Sequence, residues 1–122
     1  MAPTNFEKLR IYELSEELAD RVWSIVRGWD HFTRATVGEQ IVRSTDSIGA
    51  NIAEGVGRWG LQDQKRFLYI SRASLNETKH WLRRAFKRNL LPPGEVESLK
   101  RILDELAPKI NAYINSLPAR KG

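Results

Sequence analysis

The stretch Thr36-Val37-Gly38-Glu39-Gln40-Ile41-Val42-Arg43-Ser44-Thr45-Asp46-Ser47-Ile48-Gly49-Ala50-Asn51-Ile52-Ala53-Glu54-Gly55-Val56 decides the fold. Val37, Ile41, Thr45, Ile48, Ile52 and Val56 recur at spacings of three and four, the repeat of one helix face. Thr36 and Glu39 have the spacing of a capping box at its start. Gly49 sits inside the row and costs roughly 1 kcal/mol relative to alanine. A neighbouring helix passing too close for any side chain is the expected reason. Gly55, Gly57 and Gly60 then break the pattern.

Outward from this segment, three more rows share the period. Ile11, Leu14, Leu18, Val22, Ile25 and Trp29 define a first helix over residues 6–28, with Thr4 and Glu7 spaced as a capping box and Gly28 as a stop. Residues 28–35, which include His31 and Phe32, read as a loop. A third helix over 61–89 carries Leu68, Ser71, Leu75, Thr78, Leu82 and Ala85, flanked by Phe67, Trp81 and Phe86. Its length would be roughly 40 Å. Leu91-Pro92-Pro93-Gly94 ends it and starts the next, Pro93 suiting a first helical turn. The fourth helix, 94–117, has the cleanest heptad: Val96, Leu99, Leu103, Leu106, Ile110, Tyr113 and Leu117. Pro108 removes the bond to the Asp104 carbonyl, so a kink or a division is expected there. Residues 118–122 form a basic tail. No alternation of strand type persists. The expectation is one all-α domain over residues 1–122, an up-down-up-down four-helix bundle with short connections.

Composition narrows the chemistry. A chain of 122 residues with 41% hydrophobic and 29% charged residues suits one packed domain. It has no cysteine, which excludes disulfides, thiolate metal sites and cysteine nucleophiles, and only two histidines, His31 and His80. No cofactor or metal is expected. Neither a signal-peptide core nor a run of about 20 apolar residues is visible, so the expectation is a cytoplasmic protein away from membranes.

Charge is unevenly spread. The net charge is +5, yet residues 1–28, 29–60 and 92–117 each sum to −1, the tail adds +2, and the third helix with its end carries +6. Lys65, Arg72, Lys79, Arg83 and Lys87 recur there at spacings of seven, seven, four and four, which puts them on one stripe. Arg66, Arg84 and Arg88 extend the patch near its ends. Regularly spaced cations on a rigid helix suit the repeating phosphates of nucleic acid, which they neutralise with release of counterions. No motif that reads base edges accompanies them, so binding would follow shape and charge rather than sequence. The plainer alternative is a solvated bundle face.

Other motifs weigh little. Gly55-Val56-Gly57-Arg58-Trp59-Gly60 has the letters of a dinucleotide fingerprint, but a helix precedes it where a strand is required. Glu77-Thr78-Lys79-His80 is half of a carboxylate di-iron site without a second half. Asn76-Glu77-Thr78 is a formal glycosylation sequon within a helix. Trp59 is expected to cap the bundle end or meet another subunit rather than stack on a base.

Ser47-Ile48-Gly49-Ala50-Asn51-Ile52-Ala53-Glu54-Gly55 with Gly57-Arg58 sets Asn51 and Glu54 in an otherwise apolar helix. This resembles the signature of the four-helix bundle family called 23S rRNA intervening-sequence proteins. Phe6, Leu9, Tyr12, Glu39, Gln40 and Arg43 match on one side, and Asp63, Phe67-Leu68, Ala73-Ser74-Leu75 and Glu77 on the other. The resemblance implies a bundle that assembles into a ring, typically a homopentamer. Similar bundles, the accessory variability determinants of diversity-generating retroelements, bind nucleic acid and a reverse transcriptase through a basic surface. Independently of the family, a carboxylate or amide on a buried or subunit-facing stripe needs partners. Asn51 and Glu54 are therefore expected to join Arg43 and Arg58, with Arg72 a further partner, in a structural polar network. The resulting expectation is a non-enzymatic oligomeric adaptor that binds RNA or DNA through the third helix. The alternative is a protein-interaction scaffold whose partner is an acidic or reverse-transcriptase-like protein.

Overall fold

A computed structural model describes residues 6–118. Thr4 of the expected first capping box and Arg120 and Lys121 of the basic tail lie outside the described residues. A 3-10 turn, Phe6–Lys8, leads into helix α1, Arg10–Arg27. Helix α2 is Glu39–Val56, α3 is Leu61–Lys87 and α4 is Pro93–Ser116. All the described elements are helical, and the chain is an all-α four-helix bundle. Each helix packs on its sequence neighbours, and α1 also meets α4, so the four close into a square. None is long and apolar enough to cross a membrane.

Most of the expected rows form the core: Leu14, Leu18, Ile48, Ile52, Leu68, Leu75, Leu106 and Ile110 are essentially inaccessible. In α4 the row is turned slightly, with Ile102 and Ile114 buried and the expected Leu103 and Tyr113 only partly so, and in α1 Val26 is buried in place of Ile25. Gly49 marks the close approach anticipated for it: a Cβ there would stand 2.8 Å from Ser15 Oγ and 3.4 Å from Tyr12 Cε1 on α1. Gly55 likewise lies under α3, where a Cβ would meet the Gln64 carbonyl and Phe67 Cβ at 3.1 Å.

The expected loop 28–35 needs correction. Asp30 caps a helical turn, His31–Thr33, by accepting the Thr33 amide at 2.8 Å. A π-helical turn, Arg34–Gly38, then runs directly into α2. Thr36 therefore caps nothing; its hydroxyl donates to the Phe32 carbonyl at 2.8 Å. Asp30 wins because an aspartate before the turn satisfies an orphan amide six residues earlier than Thr36 could. The boundaries of the other helices shift by a few residues. Helix α3 stops at Lys87 through a Schellman turn, with Asn89 at φ 59° and the Leu90 amide on the Ala85 carbonyl at 2.9 Å. Pro108 does not divide α4, which is continuous around it. Both Pro108 and Asp104 are exposed, so the carbonyl that loses its bond lies on the solvent side.

Candidate nucleic-acid interface

Helix α3 owes its place to a polar seam with α2. Ser71 Oγ donates to the Ile48 carbonyl at 2.8 Å, Ser74 Oγ meets Ser47 Oγ at 2.8 Å, and Thr78 Oγ1 meets Ser44 Oγ at 3.0 Å. Ser44, Ser71 and Thr78 are fully buried. Small hydroxylated side chains let the two backbones approach while keeping every buried oxygen bonded. This ladder escaped the sequence reading, in which Ser71 and Thr78 counted merely as members of an apolar row. Their recurrence at seven residues on α3, opposite Ser44 and Ser47, was the available signal.

With that face buried, the rest of α3 turns to α4 and solvent. Lys65, Arg72, Lys79, Arg83 and Lys87 fall within a sector of about 80° at 100° per residue and span roughly 33 Å. Lys79, Arg83 and Lys87 are exposed, and Lys65 and Arg72 are half-buried. Lys79 and Arg83 border a groove of about 530 Å³ between α3 and α4, floored by Leu82, Leu99 and Leu103 and edged by Phe86. Arg72 donates to Asn111 Oδ1 of α4 at 3.0 Å, and its guanidinium stands 5.0 Å from the Tyr69 ring centroid.

The three further cations do not continue the stripe. Arg66 and Arg84 lie about 100° around the helix from its centre. Arg66 pairs with Asp63 at 3.0 Å and stacks on Phe67, whose ring Arg58 also flanks. Arg88, at the helix end, borders a separate hollow with Phe32, Thr36 and Leu90. Apart from Arg66, none of the eight cations has a carboxylate within ion-pairing distance among the described residues.

The expected polar network is split within the subunit. Asn51 Nδ2 donates to the Ser47 carbonyl and hydroxyl at 2.8 and 2.9 Å. Glu54 is exposed and, among the described residues, pairs with Arg58 alone, at 2.6 Å. Arg43 instead pairs with Glu77 of α3, and Arg72 with Asn111. The heptad places Arg43 three turns from Glu54, too far along α2 for one contact. Glu77 also accepts the Trp81 indole N–H at 3.1 Å. Those two donors, the indole first, hold its carboxyl below the usual glutamate range. The half di-iron motif is thus committed to an indole and a guanidinium. Among the described residues no three His, Cys, Asp or Glu side chains converge as a metal site would need. Trp59 does not fold back as a cap, being 99% exposed. At the opposite end Trp29 packs against the core and donates to the Leu90 carbonyl at 3.1 Å, tying α1 to the end of α3.

A four-helix bundle held by a hydroxyl seam and faced by a cationic stripe without carboxylate partners among the described residues defines a class of small all-α protein. The chain belongs to the 23S rRNA-intervening sequence protein family, whose profile matches residues 7–112. It is similar in structure to a protein of unknown function from the S23 ribosomal protein family of Bacteroides thetaiotaomicron. The two share 25% sequence identity with a TM-score of 0.76, over 87% of this chain and 99% of that one. No curated protein matches the chain.

Proposed function

We propose that this protein is a non-enzymatic, oligomeric adaptor that binds nucleic acid without sequence preference through the α3 stripe. In this reading it acts in the cytoplasm as a homopentameric ring, in the manner of the accessory variability determinants that it resembles. A reverse-transcriptase-like protein is then a second partner of the assembled ring. The observation that carries the reading is the charge state of the stripe. Among the described residues Lys65, Arg72, Lys79, Arg83 and Lys87 have no carboxylate within 4.0 Å, nor do Lys8, Arg27, Arg34, Arg84 and Arg88, while Arg10, Arg21, Arg43, Arg58, Arg66, Lys100, Arg101 and Lys109 all do. Cations left unpaired on one side of one helix are free to exchange counterions for phosphates.

The test is replacement of all five stripe residues by glutamine. Binding to an RNA mixture should weaken, and the slope of log affinity against log salt should flatten by about 4. Size-exclusion chromatography with light scattering, run with and without RNA, reads assembly and binding together. Unchanged retention on heparin and on RNA would overturn the proposal.

A further inference from the structure

One large side chain within the stripe takes no part in the core. Tyr69 lies four residues after Lys65 and three before Arg72, in the same sector of α3, and is 46% exposed. Arg72 holds it from one side by the cation–π contact at 5.0 Å and is itself fixed by Asn111 of α4. Ring and cation are thus positioned by two helices. Beside the ring is a shallow hollow of about 760 Å³ bordered by Gln62, Asp63, Lys65, Arg66, Tyr69 and Ile70. Its one carboxylate, Asp63, lies 3.0 Å from Arg66 and 3.8 Å from Arg58, so its charge is met within the subunit. Lys65 has no such partner among the described residues, and Ile70 exposes a further apolar surface.

We infer that this hollow seats an unpaired base: Tyr69 is a stacking platform for a single-stranded polynucleotide, with Lys65 and Arg72 on the flanking phosphates. The inference rests on the proposed function and specifies the form of nucleic acid that the stripe takes. A duplex keeps its base faces stacked on one another and shows only base edges in its grooves, so an aromatic ring on a helix surface has no face to meet. A single strand offers a face at every nucleotide, and stacking tolerates any base. Cations alone would serve duplex and single strand alike. An exposed ring set among them serves only the latter.

The experiment is an anisotropy titration of a labelled single strand of roughly 12 nucleotides and of its duplex, at one salt concentration. The proteins are the wild type, Tyr69→Phe, Tyr69→Leu and the five-glutamine stripe variant. Tyr69→Phe should bind as the wild type does. Tyr69→Leu, which keeps apolar bulk without a ring, should lose about ten-fold on the single strand and nothing on the duplex. Its oligomeric mass by light scattering should be unchanged. Three results would overturn the inference: undiminished single-strand binding by Tyr69→Leu, an equal loss on both ligands, or a changed mass, which would make Tyr69 a subunit contact. If the stripe variant binds both ligands as the wild type does, the proposed function itself fails. If it loses both while Tyr69→Leu binds normally, only the stacking platform fails.

Discussion

Gly49 shows how one missing side chain sets the distance between two helices. Helix propensity favours alanine there by about 1 kcal/mol. Against this stands Ser15 Oγ, 2.8 Å from where a Cβ would be, buried and donating to the Tyr12 carbonyl at 2.7 Å. A methyl group forced into that contact must displace a bonded hydroxyl or push α1 outward, at a cost of about 1–3 kcal/mol. Gly49→Ala is therefore expected to lower stability by about 1 kcal/mol net. Ser15→Ala removes the obstructing oxygen and leaves Ser15 Cβ, at 3.7 Å, in ordinary contact. In that background Gly49→Ala should become neutral or stabilising. A double-mutant cycle in urea measures the coupling. If the two changes simply add, the close approach is not what holds glycine at this position.

Between elements, the α2–α3 seam trades apolar volume for closeness. Ser71→Ala removes one donor, and the Ile48 carbonyl that it served retains its place in the α2 ladder, so the cost should be about 1 kcal/mol. Ser71→Leu adds bulk where two backbones nearly touch and should cost well over 2 kcal/mol despite its greater hydrophobicity. Thermal and urea unfolding rank the two; a leucine variant as stable as wild type would show that the seam is loosely packed. The same pair of helices marks how far sequence carries. Helical period placed Leu68, Leu75, Ile48 and Ile52 in the core, because burial of a face demands that period and little else. It also placed the five stripe cations on one side of α3. What it could not supply was rotation against a neighbour, which decides partners. Arg43 turned to Glu77 rather than to Glu54, and Arg72 to Asn111. The start of the second helix was misplaced for a local reason: Asp30 and Thr36 are both capping residue types, and Asp30, the earlier of the two, takes the Thr33 amide and begins the helical turns. Pro108 read as a kink or a division, and the division fails because its solvent-facing position is a property of the assembled bundle.

At the scale of the whole molecule, the question is what the uneven charge does to the fold that carries it. The ion pairs among the described residues involve side chains at least 31% exposed, and such pairs are worth about 0–1 kcal/mol each. The stripe works against them. Lys79 and Arg83, and Arg83 and Lys87, are like charges four residues apart, each pair destabilising by about 0.2–0.5 kcal/mol. The longer spacings add repulsion when the Debye length, about 30 Å at 0.01 M, exceeds them, and lose it at 0.15 M, where that length is about 8 Å. The five-glutamine variant should accordingly be more stable than the wild type at low salt, by about 1 kcal/mol, and the gap should close as salt rises. Ion pairs elsewhere are common to both proteins and cancel in the difference. Urea, which is uncharged, is the denaturant for this comparison. A short single strand should replace salt for the wild type, raising its melting temperature by mass action, and leave the variant unmoved. A stability gap that is absent at low salt, or that survives to 0.5 M, would mean that the cations do not repel one another, and that a bound polyanion relieves nothing when it neutralises them.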